Sequence, residues 1–531
     1  MEKRDKVAHG ARWICQTTLA ALLFASLAYP ASLAYPASAQ DKPNASSQQE
    51  SQPRKQDAAA APKQEGALQP AVTVQNTVET ATGKLDYTVT AGTLVLHDDN
   101  TGKPLVEIGF VAYTRTGGDS AQRPITFAFN GGPGAASAYL NLGALGPRYL
   151  SFGNPGQGPS AAPVLTDNAE TWLDFTDLVF VDPVGTGYSR LIDDSDAVKR
   201  TVWSVDGDIA SLSSFVSRYL VETGRLRSPK YLVGESYGGF RLPKLVRRLQ
   251  IEDGVGISGI VMISPVLDFR TQSNSDGEVL GFAARLPSLA AAALDRKGEP
   301  FSRAALKGAE DYARGEFITD FYRGLSDRAA VGRMVDEVTR LTGLDRSYVE
   351  RLAARLDLRS VVRELGRSKE SVASLYDGTV LGFDDMPFTV MSQPDDPILD
   401  AGIAPVTSAM VDYLTRELGW RANGPYRLLN REVSGRWIWG SDRGRGEQPE
   451  SVSDLREALA LDPALQVLVV HGATDLATPY FDSQLMLDRL PAFGNPDRVR
   501  LEVLPGGHMM YSLPQSRAAL RNAASNLYPK K

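Results

Sequence analysis

The sequence predicts an α/β fold, a mostly parallel doubly wound sheet with an inserted helical cap, on three observations. Six short runs, Ile125–Phe129, Leu178–Val181, Tyr231–Val233, Ile260–Ile263, Val467–Val470 and Leu501–Leu504, are each closed within two residues by Gly, Pro, Asp or Asn. They are largely apolar throughout rather than alternating, as strands covered on both faces of a parallel sheet are. Helical stretches separate them, which makes the class α/β. Between about Thr271 and Ala460 the strand pattern fades and 3.6-residue periodicity takes over. A helical insertion of that size between two sheet strands reads as a cap over the C-terminal edge of the sheet, where α/β proteins bind ligands.

From the N-terminus, Lys3, Arg4, Lys6 and Arg12 precede an apolar run from Leu19 to Ala28 and then Ala37-Ser38-Ala39 before Gln40. That order predicts a secretory signal peptide over residues 1–39. The hexapeptide LAYPAS stands twice in tandem there, from Leu27 to Ser32 and Leu33 to Ser38, so small residues occur at two places. The apolar run is shorter than the roughly 20 residues of a membrane helix. The expectation is an exported protein, periplasmic or secreted, with no membrane span in the mature chain. Residues 40–71, rich in Gln, Ser, Ala, Pro and Lys, read as a disordered linker. From about Val72 to Thr116 the stretches LDYTVTAGTLVLHDD and LVEIGFVAYTR alternate and are broken by Gly or Asp-Asn-Thr-Gly. They predict antiparallel strands that lead into the first part of the core, 72–270. The cap, 271–460, carries helical patterns such as SRAALKGAEDYARGEFITDFYRGL, AAVGRMVDEVTRLTGL and RSYVERLAARL, and residues 461–531 complete the core.

Composition narrows the function. With 57 Lys+Arg against 63 Asp+Glu the net charge is −6, which excludes an ordinary basic nucleic-acid binder. Hydrophobic residues at 43% and charged residues at 23% describe a soluble globular chain. The one cysteine, Cys15, lies in the expected signal, so no disulfide can form within the chain. Four scattered histidines offer no metal-ligand spacing, and no phosphate-binding or dinucleotide motif stands out. No metal or cofactor is expected.

Chemistry enters at Gly234-Glu235-Ser236-Tyr237-Gly238, a G-x-S-x-G directly after an apolar run and before a helical one. Its glycines permit the sharp strand-to-helix turn that lifts a serine hydroxyl into the open. The pentapeptide alone is common; its position gives it weight. A serine hydroxyl needs a positioned base, normally histidine with a carboxylate behind it. His9 falls in the signal, His97 in a turn-like run of the leader, and His471 precedes the candidate acid. That leaves His508, in LPGGHMMY after the last expected strand. Asp475, in VLVVHGATDLATP, follows the penultimate strand, and the order Ser236, Asp475, His508 is the one an α/β-hydrolase topology requires. For the oxyanion, the backbone N–H groups of Gly132, in Asn130-Gly131-Gly132-Pro133-Gly134, and of Tyr237 are the candidate donors.

These residues resemble a known family. NGGPG at Asn130 to Gly134, LGPR at Leu145 to Arg148, LVFVDPVGTGYS at Leu178 to Ser189, GESYGGFRLPKL at Gly234 to Leu245 and GGHM at Gly506 to Met509 are similar to the serine carboxypeptidases, peptidase family S10. The likeness runs in patches from about Pro124 to Tyr511, with the cap far less recognisable. It implies an α/β-hydrolase fold and an exopeptidase that removes single residues from peptide C-termini, working best in acid. It implies Ser236, Asp475 and His508 as the triad and Gly132 and Tyr237 as oxyanion donors. Asn130 and Glu235 would bind the substrate's terminal carboxylate, and Gly131 and Met509 join the substrate-binding set. A carboxylic acid hydrogen-bonds a carboxylate only while protonated, which accounts for the acid preference.

The departures are specific. The family's second Glu, which pairs with the Glu of GESY, is replaced by Ala144; the Trp before the loop is Ala128 and the Cys after it is Ala135. The missing cysteine fits a chain without disulfides and suggests a bacterial-type branch. Arg148 or a cap residue would have to stand in for the missing acid. Two other classes stay open: a serine esterase, acyltransferase or aminopeptidase on the same triad, and an inert hydrolase-fold binding protein. Side-chain preference and oligomeric state are not set by these motifs.

Overall fold

A ten-stranded sheet runs through the chain, and its order explains where a ligand can sit. The computed structural model describes residues 68–98, 101–152, 158–272, 278–389, 394–440 and 449–529. The expected signal peptide 1–39, with His9 and Cys15, and the expected linker as far as residue 67 lie outside the described residues.

The leader forms β1 (Val72–Thr80), β2 (Gly83–His97) and β3 (Pro104–Arg115), paired antiparallel. On β2, Leu85, Tyr87, Val89 and Ala91 join the core on one face of the sheet, while Leu94 and Leu96 join the core on the other. That is the period of two that its alternating sequence calls for.

The apolar runs are the parallel strands β4 (Ile125–Phe129), β5 (Asp177–Val181), β6 (Lys230–Glu235), β7 (Gly259–Ile263), β8 (Gln466–Gly472) and β9 (Val499–Leu504). The spatial order is β1-β2-β3-β5-β4-β6-β7-β8-β9, with the short strand Arg190–Leu191 paired beside β3. Every residue of β4, β5 and β7 is buried. Successive residues go to opposite layers: Tyr231 and Val233 pack on one side, Leu232 on the other. A Val or Leu side chain so enclosed contributes about 1.5–3 kcal/mol, which is why these runs tolerate no polar face.

From β4 the chain passes to β5 on one side and then to β6 on the other, so the winding reverses at β4. A crevice opens beyond the carboxyl ends of β4 and β6 at such a reversal. Asn130 follows β4 and Ser236 follows β6.

The helical expectation for the insertion holds in most of its length, with helices at Val279–Arg296, Arg303–Arg314, Glu316–Arg323, Arg328–Thr342 and Leu399–Asp412. One expected helix is shorter. RSYVERLAARL is helical only over Arg346–Arg351, because Ala353 and Ala354 take positive φ of 47° and 61° and turn the chain. Two short strands, Ser371–Ala373 and Leu381–Phe383, pair within the insertion. Phe282, Leu286, Phe317, Phe321 and Val338 bury their faces in a core shared with Ala473, Leu476 and Tyr480. The insertion thus packs against the loop that carries Asp475.

Candidate active site

Ser236 stands where β6 turns into the helix Tyr237–Ile251, at φ 61° and ψ −123°. A non-glycine residue in that region costs about 1–3 kcal/mol and persists only where its surroundings enforce it. Here Ser236 N donates to Ile263 O at 2.9 Å, and the turn is too tight for side chains on either flank. A Cβ on Gly234 would lie 2.3 Å from Gly238 O, and one on Gly238 would lie 2.5 Å from Phe129 O. The spacing of glycines in the motif is therefore a steric requirement.

Asp475 and His508 meet from loops after β8 and β9. His508 Nδ1 and Asp475 Oδ2 are 2.8 Å apart, and both side chains are buried. Asp475 Oδ1 accepts from Ala477 N at 2.9 Å and Thr478 N at 3.0 Å, and the Thr478 hydroxyl lies 2.7 Å from Oδ2. His508 is fixed through its backbone as well: its N–H donates to Tyr376 O at 2.6 Å, and its carbonyl accepts from the Ser264 hydroxyl at 2.8 Å. The Tyr376 ring stands edge-on to the imidazole at 5.1 Å. Burial works against the imidazolium, but the charge and hydrogen bond of Asp475 outweigh it and hold His508 above its ordinary pKa. The end of β7 anchors both halves, since Ile263 holds Ser236 and Ser264 holds His508. No direct hydrogen bond joins Ser236 Oγ to the imidazole; such contacts often tighten only with substrate bound.

The loop after β4 closes the other side. A Cβ on Gly131 would fall 2.6 Å from both Glu235 O and Tyr237 N, so the loop backbone lies directly against the elbow, and Gly132 follows with φ +100°. Tyr237 N heads a helix, where the first amides have no intrahelical acceptor. Asn130 is held at every polar group. Its N–H donates to Ser137 Oγ at 3.2 Å, its carbonyl accepts from Arg241 Nη1 at 2.8 Å, and its Oδ1 accepts from Leu140 N at 3.0 Å. Arg241 is in turn paired with Asp208 at 2.7 Å, both side chains enclosed. Ser137 N donates to Asp182 Oδ1 at 2.8 Å, and burial pushes that carboxyl up to about 6 although the Ser137 amide and the Tyr426 hydroxyl pull it down.

Glu235, 4% exposed, points its Oε2 at two donors: Asn130 Nδ2 at 2.8 Å and the Tyr511 hydroxyl at 2.9 Å. Burial raises it to about 7, against the pull of His508 and of those two hydrogen bonds. Ala144 is buried in the π-helical turn Asn141–Leu145 and offers only its carbonyl, which accepts from Asn168 at 2.9 Å. Arg148, one of the two expected stand-ins for the missing acid, directs its guanidinium to Asp167 at 2.6 Å and Glu417 at 3.4 Å. Met509 is buried beside His508. His471 is enclosed, bonded to Ser483 at 2.9 Å and lowered to about 4 by burial, a core histidine. Among the described residues no cluster of His, Cys, Asp and Glu is arranged to hold a metal.

Thr478, Tyr511, Asp182 and Tyr376 are among the residues with a part in this geometry that the sequence did not single out. Thr478 and Tyr511 each stand three residues beyond a candidate, Asp475 and His508, so proximity to the motifs was a usable signal. Asp182 lies inside a quoted motif. Tyr376 comes from the insertion, and nothing local in its sequence marks it.

A family model described as serine carboxypeptidase matches residues 109–300, which hold the loop after β4 and the elbow. Serine carboxypeptidase-like 9 of Arabidopsis thaliana is 24% identical over 31% of this chain and 38% of its own length. Pheromone-processing carboxypeptidase KEX1 of Yarrowia lipolytica is 32% identical over 27% of this chain and 21% of its own. The chain thus spans well under half the length of these curated relatives. A crystal structure of a prohormone-processing carboxypeptidase from Saccharomyces cerevisiae superposes with a TM-score of 0.53 at 16% identity, covering 83% of this chain and 91% of that one. At that identity the likeness is one of fold, and the fold is the α/β-hydrolase fold. Among the described residues no helix is long and apolar enough to cross a membrane.

Proposed function

We propose that this chain, which over residues 109–300 belongs to the serine carboxypeptidase family, is an exported serine-type carboxypeptidase that releases C-terminal residues from peptides. Ser236 Oγ attacks the last peptide carbonyl while His508 Nε2 accepts its proton, and Asp475 holds the imidazole and stabilises its charge. The N–H groups of Gly132 and Tyr237 bind the tetrahedral oxyanion. His508 then gives its proton to the departing amine, leaving an acyl-Ser236 that water, activated by the same imidazole, hydrolyses. Asn130, Gly131, Glu235 and Met509 hold the C-terminal residue, and Glu235 donates to its carboxylate while protonated.

The observation that carries this reading is the buried Glu235–Asn130 pair directly beside the nucleophile, at 2.8 Å. A plain hydrolase elbow needs no enclosed acid there. Export through segment 1–39 is supported by the order of charged, apolar and small residues in it, and its check is the N-terminal residue of the mature protein. The division into core 72–270 and 461–531 with cap 271–460 belongs to the same proposal.

The test compares a peptide bearing a free C-terminus with its amide. Stepwise trimming of the free acid at a far lower KM than the amide is the expected result; equal turnover of both rejects carboxylate recognition. The buried Ala144 favours a second reading, an esterase or acyltransferase on the same triad. It predicts turnover of p-nitrophenyl esters far above any peptide trimming.

A further inference from the structure

Glu235 receives both of its hydrogen bonds on one oxygen. Asn130 Nδ2 and Tyr511 Oη sit 2.8 and 2.9 Å from Oε2, and among the described residues no donor meets Oε1. In a protonated carboxyl one oxygen carries the proton and the other accepts. Two donors on Oε2 make it the acceptor, so the proton resides on Oε1. Tyr511 is fully buried and fixed by its own packing: its ring lies 6.5 Å from that of Phe152, and a Cβ on Gly143 would come within 2.9 Å of it. The groups that face Glu235 are Asn130 after β4, Tyr139 on the segment behind that loop, Tyr376 of the insertion, Asp475 and His508, and Tyr511 itself. Its two hydrogen-bond partners are neutral, so no second acid shares its proton.

We propose that Tyr511 is a positioning residue for substrate recognition: its hydroxyl fixes Oε2 of Glu235 as acceptor, presents the acid proton from Oε1 to the terminal carboxylate of the peptide, and sets the pH above which that recognition is lost. This rests on the carboxypeptidase reading. Tyr511 donates to the carboxylate form better than to the acid form, so it favours deprotonation of Glu235. Removing the hydroxyl moves the loss of recognition to higher pH, the reverse of what a loosened site would do.

The test measures KM and kcat from pH 5 to 9 for a blocked dipeptide with a free C-terminal carboxylate and for its amide. The full chain is used as wild type, Tyr511→Phe, Glu235→Gln and the double variant, with a thermal unfolding midpoint for each. In the wild type, KM for the free acid rises with pH while KM for the amide stays flat. Tyr511→Phe moves that rise upward by about one pH unit. Glu235→Gln, whose amide donates at every pH, removes the rise, and adding Tyr511→Phe to it produces no further shift. A wild type that treats free acid and amide alike at all pH values defeats the carboxypeptidase reading itself. A wild type that distinguishes them while Tyr511→Phe leaves the rise in place, or moves it to lower pH, overturns the role of Tyr511. Should Tyr511→Phe fail to fold, the pair Glu235→Gln and wild type decides alone, since an unaltered rise in Glu235→Gln removes the group on which Tyr511 acts.

Discussion

Two carboxyl groups are buried in the same crevice, Asp475 at 0% and Glu235 at 4% exposure, yet their surroundings differ in kind. Asp475 meets two backbone N–H groups on one oxygen, and on the other His508 Nδ1 at 2.8 Å with the Thr478 hydroxyl beside it. Glu235 meets two neutral side chains on a single oxygen and is pushed up to about 7 by burial. Backbone amides and an imidazole suit an anion, whereas a carboxyl with one unmet oxygen can hold a proton and donate it. Depth of burial therefore does not distinguish the two roles; the number and charge of the donors does. The same contrast of environments assigns acid and anion roles to paired carboxyl groups in other hydrolases.

The sharpest break of this comparison is at the proposed nucleophile, Ser236. Ser236→Ala is expected to lower kcat by roughly 10⁶-fold with the fold retained, measured as acyl transfer from an activated ester. Asp475→Asn, which removes the anion and leaves its shape, is expected to cost about 10⁴-fold in kcat. Gly131→Ala presses a methyl group to 2.6 Å from Tyr237 N, displaces the loop from the elbow and lowers kcat by about 10²–10³-fold. Glu235→Gln acts on the other carboxyl: kcat on the amide substrate is unchanged within about threefold, and only the pH dependence of KM for free-acid peptides disappears.

The two groups also titrate in opposite directions of effect. In the proposed mechanism His508 must be neutral to accept the serine proton, and its raised pKa means kcat rises as pH climbs through a value above the ordinary 6.5. Glu235 must be protonated to donate, so KM worsens as pH climbs through about 7. Activity is then lost on both sides, in acid as His508 takes up a proton and above about 7 as Glu235 gives one up. A broad acid plateau in kcat/KM for a free-acid peptide would contradict this pairing.

Much of the scaffold was legible in the chain. Runs such as ITFAF and IVMI carry no charge and, apart from Thr126, no polar side chain, and each became a parallel strand enclosed on both sides. Ser236, Asp475 and His508 could be selected because a turn after a strand leaves a side chain at the sheet's carboxyl edge whatever the rest does. The partners of Glu235 were harder. Tyr511 is 276 residues away, and its hydroxyl reaches the carboxyl only because the segment after β9 returns across the crevice. Arg148 looked available from its motif, but its ion pairs depend on Asp167 and on Glu417 of the insertion, 269 residues on. The helix ending at Arg351 was overestimated because LAARL carries strong helix formers, and local propensity cannot foresee two alanines held at positive φ by packing.

The most direct test of the central claim is covalent labelling of the folded, full-length protein with a fluorophosphonate, located by peptide mass spectrometry. Reactivity of one serine hydroxyl made nucleophilic by His508 predicts a single adduct on Ser236, absent in Ser236→Ala and formed far more slowly in Asp475→Asn. An unlabelled Ser236 in the folded protein, or labelling at the same rate in Asp475→Asn, would contradict it.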